Sequence, residues 1–261
     1  MTTVSIANQK GGVGKTTTAI SLGAALAERG SRVLLVDLDP HGNATSGLGF
    51  GRGQDPGTYA VLLQDRPLEE AVMPTEIAGL DLLAASPEMA GVEVELVPTL
   101  AREFRLKAAL AGTSYDTILV DCPPSLGLLT VNALAAAELV LIPVQCEFFA
   151  LEGLAQLMKT VEAVRFRLNP KLEVLAIVLT MVDARNRLSI QVIEEVQSHF
   201  PDLVARVRIP RAVRLAEAPS HGKPISTYDP ASRAAQAYGD LAQELSARIA
   251  ARQPVALTAL N

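Results

Sequence analysis

Eight consecutive residues, Lys10-Gly11-Gly12-Val13-Gly14-Lys15-Thr16-Thr17, follow the apolar run Val4–Ala7 and open a helical pattern. A glycine-rich turn between a strand and a helix lets backbone N–H groups point inward at an anion, and the helix N-terminus adds its positive dipole end. Lys15 at the helix start can reach the β- and γ-phosphates of a nucleotide, and the Thr16 hydroxyl can ligate Mg²⁺. The chemistry expected of this segment is phosphate binding, with ATP and Mg²⁺ as ligands.

Carboxylates stand where such a site needs them. The run Val33–Val36 ends at Asp37-Leu38-Asp39-Pro40, and Ile118–Val120 ends at Asp121. Ligands of open α/β sheets bind beyond the C-terminal ends of the strands. An acid after a buried strand, as at Asp121, commonly supports Mg²⁺ through water. Asp37 suits the same task, and Asp39, two residues on, is placed to position an attacking water. His41, His199 and His221 are scattered without metal-ligand spacing. Cys122 and Cys146 follow apolar runs, so neither a disulfide framework nor an iron–sulfur cluster is expected.

The elements that must position these residues are legible as an alternation. Apolar runs at Val4–Ala7, Val33–Val36, Leu80–Ala84, Ile118–Val120, Leu139–Val144, Val174–Thr180 and Val204–Ile209 predict strands. Amphipathic patterns at Thr16–Arg29, Thr99–Leu110, Leu128–Ala136, Leu151–Leu168, Ser189–Phe200 and Ala231–Ala251 predict helices. Continuous apolar strands alternating with helices predict one α/β domain, its mostly parallel, twisted sheet covered by helices on both faces. That domain is expected over residues 1–252, with a frayed tail at 253–261. Gly47–Gly57 reads as an exposed loop. With 49% hydrophobic residues in 261, the chain can bury a core without staples, and its net charge of -5 restricts any nucleic-acid role to a local basic patch. No signal peptide or apolar stretch of membrane-spanning length is present, so a cytoplasmic protein is expected.

The phosphate loop departs from the ordinary Walker A pattern. Gln9 stands where that pattern has glycine, and Lys10 is an additional lysine at the loop entrance. This is similar to the deviant Walker A of the ParA/MinD group. The resemblance narrows to the ParA/Soj partitioning ATPases at Asp37-Leu38-Asp39-Pro40-His41-Gly42-Asn43-Ala44-Thr45-Ser46-Gly47, Asp121-Cys122-Pro123-Pro124-Ser125-Leu126-Gly127, Ile142-Pro143-Val144-Gln145-Cys146-Glu147, Ala150-Leu151-Glu152-Gly153-Leu154 and the segment from Val213 to Pro224. It runs from about residue 3 to about residue 250.

The resemblance implies an ATPase that forms a nucleotide-sandwich homodimer when ATP-bound. Lys10 would reach across the interface to the partner's nucleotide. In that family the ATP form binds double-stranded DNA non-specifically on the nucleoid. A ParB-type (Spo0J-like) centromere-binding protein stimulates hydrolysis, and chromosomes or plasmids are segregated. Lys10, Lys15 and Asp39 become the expected catalytic residues. Gly11, Gly12, Val13, Gly14, Lys15, Thr16 and Thr17 hold phosphates, with Pro210 and Arg211 at the adenine. Thr16, Asp37 and Asp121 serve Mg²⁺, the acids through water. Arg185 and Arg214 match DNA-contacting arginines, with Arg206 and Arg208 as further candidates in the same basic stretch.

His41 replaces the family's usual glutamine, and Ala212 its common asparagine. Asp183 resembles part of a guanine motif without the rest. Because the first strand starts at once, no helix-turn-helix is expected before it. The alternative is a MinD-like membrane-cycling ATPase. Such a protein ends in a basic amphipathic helix, whereas Pro254 interrupts this C-terminal sequence and Arg252 is the only charge in 250–261.

Overall fold

The computed structural model describes residues 1–51 and 53–252, and the expected tail at 253–261 lies outside the described residues. Seven strands form one sheet: β1 (Thr2–Ile6), β2 (Val33–Asp37), β3 (Val72–Pro74), β4 (Leu80–Leu83), β5 (Thr117–Asp121), β6 (Leu139–Gln145) and β7 (Glu173–Thr180). Their order is β3-β4-β2-β5-β1-β6-β7, and every pair is parallel except β3 with β4.

Successive strand residues point to opposite faces, and both faces are buried, which is why the strands are continuously apolar. In β2, Leu34 and Val36 pack with the helices Leu128–Ala136, Ala150–Arg167 and Arg187–His199. Val33 and Leu35 pack on the other face with the helices Lys15–Glu28 and Arg233–Arg252. The chain leaves central β1 toward β2 on one side and later fills β6 and β7 on the other, so the crevice beyond β1 lies at a topological switch point.

Three local expectations are corrected. Val204–Ile209 is not a strand. The segment lies along β7 through only the isolated bridges Ile177–Val204 and Val182–Pro210, and its N–H and C=O groups satisfy that otherwise open edge. The helix expected over Thr99–Leu110 is broken, because Ala101 adopts φ 52 and Asn132 draws the following turn toward itself through Arg102 O (2.7 Å) and Leu106 N (3.2 Å). Gly47–Gly57 is not uniformly exposed. Gly47 ends the short helix Asn43–Gly47, and a Cβ there would lie 2.6 Å from Ile20 Cδ1. Gly57 is likewise buried, and a Cβ there would lie 2.6 Å from Ala84 O.

Candidate nucleotide-binding site

The loop after β1 turns into the helix Lys15–Glu28 through two left-handed residues, Gly12 (φ 76) and Gly14 (φ 88). Side chains rarely adopt such conformations, so glycine at these positions is a backbone requirement. The loop is braced from below. Thr180 Oγ1 donates to Val13 O (2.8 Å), Asn8 Nδ2 to Pro143 O (2.8 Å), and Lys10 N to Asn8 Oδ1 (3.0 Å). No acidic residue occupies the helix's first turn. The result is a rigid cradle of N–H groups at a positive helix end, suited to phosphate.

The two loop lysines part company. Lys15 is 6% exposed, and its ammonium donates back to Lys10 O (3.2 Å). Burial lowers its pKa, opposed chiefly by the charge of Asp121. A desolvated ammonium in a cradle gains most from an anionic ligand. Lys10 instead stands half-exposed at the loop entrance, paired with Glu147.

The strand register sets the acids side by side: Asp37 pairs with Asp121 between β2 and β5, and Asp121 with Ile6 between β5 and β1. Both acids are fully buried. Asp37 Oδ2 accepts from Thr45 N (2.8 Å) and Thr45 Oγ1 (2.7 Å). Desolvation nevertheless raises its pKa to about 6. Asp121 is likewise held well above the usual carboxylate range, by desolvation first and then by the charge of Asp37. Thr16 lies close enough to favour the charged form of Asp121 but outside hydrogen-bond geometry, so both carboxylate oxygens lack a partner. Two orphaned buried oxygens beside a phosphate cradle fit a water-carrying divalent cation such as Mg²⁺, which needs few protein ligands. Among the described residues no group of three or more His, Cys, Asp or Glu side chains forms a ready-made metal cage.

Asp39, 4% exposed, follows β2 and accepts at Oδ1 from His41 N (3.0 Å) and from the His41 ring at Nδ1 (2.8 Å). His41 therefore orients this acid from the solvent side.

A stability consequence follows from the buried acids. An acid whose folded pKa exceeds its unfolded value binds more protons when folded, so stability is lost as pH rises between the two values. For Asp37 that window runs from 3.8 to about 6, and Asp121 shifts in the same direction. Asp121→Asn is expected to stabilise the nucleotide-free protein at neutral pH by about 1–3 kcal/mol and to flatten this pH dependence. Thermal unfolding from about pH 5 to about pH 8 measures it. A lower melting temperature for the variant at every pH would refute the view that Asp121 is an unrelieved buried charge.

Beside the cradle lies a cavity of about 350 Å³ bounded by Gly14, Thr17, Thr180, Pro210, Arg211 and Tyr238. Ile209, Ala212, Val213 and Leu215 complete a mostly apolar wall that can enclose a purine. Tyr238 belongs to the helix Arg233–Arg252, and its hydroxyl meets Thr18 Oγ1 (3.2 Å) in the loop's own helix. Nothing local in the sequence marks Tyr238 or Thr45 for the site. Asp183 accepts from Arg185 N (3.0 Å), shaping the turn after β7.

The arginines divide in the same way. Arg206 and Arg208 on the segment along β7, and Arg185 in the turn after it, are exposed, and among the described residues none forms an ion pair. Arg214 does. It donates to Glu217 Oε2 (3.0 Å) and Tyr228 Oη (3.3 Å), and Asp229 Oδ2 is 3.9 Å away. His221 stacks on Tyr228 beside this cluster, and His199 sits at the exposed end of its helix.

A family model described as an AAA domain matches residues 1–174. The Bacillus subtilis sporulation initiation inhibitor protein Soj is 56% identical over 247 residues, covering 94% of this chain and 98% of that protein. The Thermus thermophilus chromosome-partitioning ATPase Soj is 54% identical over 248 residues, covering 94% and 96%. Among solved structures, cobyrinic acid a,c-diamide synthase from Mycobacterium smegmatis, with bound ATP analog and magnesium, superposes with a TM-score of 0.84. It is 38% identical and covers 96% of each chain.

Proposed function

The chain belongs to the ParA/Soj family of chromosome-partitioning P-loop ATPases, and from that premise we propose that it is an ATP-gated switch whose ATP form is a DNA-binding dimer. The observation that carries this reading is the separation of two lysines from one loop. Lys15 is enclosed beneath the cradle, while Lys10 faces outward with an ionic partner it can exchange.

ATP is the substrate. Residues 11–17 take its phosphates on backbone N–H groups, Lys15 neutralises the β- and γ-oxygens, and Pro210 and Arg211 border the base. Thr16, with Asp37 and Asp121 behind it, would hold Mg²⁺, which supplies charge neutralisation on the phosphates. Asp39 positions the attacking water. Lys10 crosses to the partner's nucleotide, so the hydrolytic site is complete only in the dimer.

Exposed arginines of the turn after β7 and of the segment along its edge serve DNA phosphates, presented twice by a dimer. Arg185→Glu is the cleanest test, because Arg214→Glu would also set three acids together with Glu217 and Asp229. Arg185→Glu is expected to weaken non-specific DNA binding in ATP and to reduce the slope of log affinity against log salt by about 1–2 per dimer. ATP-dependent dimerisation should persist. Binding titrations at several salt concentrations, with ATP and with ADP, measure it, and parental binding at every salt would remove Arg185 from the surface.

Hydrolysis is expected to be slow alone and to rise synergistically with DNA and a ParB-type centromere-binding protein. ATPase assays with each and with both, using DNA and a ParB-type protein, test the whole reading. Additive or absent stimulation would overturn it. Among the described residues no helix is long and apolar enough to cross a membrane. Co-sedimentation with anionic liposomes against DNA separates the membrane-cycling alternative, whose C-terminal determinant lies outside the described residues.

A further inference from the structure

Two large aromatic side chains lie bare beside the loop entrance. Phe148 and Phe149, between β6 and the helix Ala150–Arg167, are 75% and 60% exposed. Their rings meet edge-to-face with centroids 5.1 Å apart. Exposed adjacent phenylalanines cost solubility, and a contiguous apolar surface of this kind usually marks a contact. Neither ring seals the core, which closes beneath them at Ala150 and Leu154.

The surroundings identify the occupant. Phe149 borders an open groove of about 550 Å³ together with Gln9, Lys10, Pro124, Leu126 and Gln156. The groove therefore joins the phosphate-loop entrance to the segment following Asp121. The neighbouring charges are mixed: Lys10 is paired with Glu147, and Glu152 is exposed on the helix's first turn. Two acids beside the aromatic pair disfavour a polyanionic partner, whether nucleic acid or acidic lipid. A two-fold interface needs one patch complementary to itself, and a patch with both signs around an apolar centre meets that requirement.

We propose that Phe148 and Phe149 are aromatic anchors of the ATP-dependent interface between two copies of this chain. The inference rests on the dimer reading above and adds the residues that hold the copies together. Glu147, directly before the pair, positions Lys10 on this same face, so anchoring the aromatics brings each Lys10 to the other copy. ATP then acts on a surface already present, because the groove wall includes Pro124 and Leu126 from the segment beyond Asp121.

The test is sedimentation velocity over a range of protein concentrations with Mg²⁺ and a non-hydrolysable ATP analogue. The variants are Phe148→Ser/Phe149→Ser and Phe148→Tyr/Phe149→Tyr. Affinity for the analogue is measured separately, at protein concentrations too low for dimers. Central aromatic anchors commonly carry enough energy that the double serine variant should dimerise at least about 30-fold more weakly. Its single-chain affinity for the analogue should match the parent's, and the tyrosine variant should dimerise like the parent. A serine variant that dimerises at parental concentrations overturns the inference while leaving the dimer reading intact. So does one whose single-chain nucleotide affinity falls in step, because the rings then serve their own subunit. A parent that stays monomeric with the analogue overturns the dimer reading and the inference together.

Discussion

Lys15→Ala is expected to lower ATP affinity by at least about 30-fold, whereas Lys10→Ala should leave the affinity of the single chain within about threefold of the parent. The difference comes from environment. Lys15 is 6% exposed, and its neighbours are Asp121, Asp39 and the loop's own carbonyl at Lys10. Removing a buried cation there leaves incoming phosphates facing buried acids with no compensation, which costs far more than losing a solvated charge. Lys10 is half-exposed, and breaking its ion pair with Glu147 should cost less than about 1 kcal/mol of stability. What Lys10→Ala should lose is dimerisation or hydrolysis. Nucleotide titration of each variant, with sedimentation in ATP, measures both effects. Normal dimerisation and turnover by Lys10→Ala would end its assignment across the interface. Near-parental ATP affinity in Lys15→Ala would end that of Lys15.

The second large effect is on the chemical step. Asp39→Ala is expected to slow hydrolysis by about 10²–10⁴-fold, the usual worth of a group that handles the nucleophile's proton or position. The ATP form should then accumulate as a long-lived dimer. The structure supports this separation of binding from chemistry. Asp37, not Asp39, carries the bonds to Thr45 that hold the short helix Asn43–Gly47 in place, so the region keeps its scaffold when Asp39 is truncated. Asp39 is itself locked by the His41 N–H and ring, and a fixed carboxylate is what positioning a water requires. Removing one of three neighbouring acids also relieves repulsion toward phosphate, so ATP binding should not weaken. Size-exclusion chromatography with ATP, beside a turnover assay, checks the prediction. A variant that remains monomeric, or one that hydrolyses at the parental rate, would remove Asp39 from the chemistry.

The phosphate loop was readable from local order alone, because glycines at positions 12 and 14 encode a backbone shape and the preceding apolar run encodes the strand. The strand-end acids were readable for the same reason. Five or so apolar residues specify a buried strand, and whatever follows emerges at its end. The same reasoning overreached at Val204–Ile209, where an alternating run lies against a sheet edge without making a continuous ladder. It overreached again at Thr99–Leu110, where the long-range bonds of Asn132 favour a break over a continuous helix.

What the sequence by itself determined was thus the sheet, its two-sided burial, the cradle and the acids at the strand ends. All of these depend on residues near one another in the chain. Tertiary structure alone decided which distant side chains complete or restrain them. Tyr238 reaches Thr18 across 220 positions, and Glu147 reaches Lys10 across 137. Arg214, one of a run of arginines in the sequence, gives its charge to Glu217, Asp229 and Tyr228. Phe148 and Phe149 are large and apolar, yet they stand in solvent. Hydrophobicity and spacing dictate that a residue belongs to a strand, a loop or a helix. Whether its side chain is then free, paired or covered depends on which other element the fold brings against it, and no local pattern encodes that neighbour.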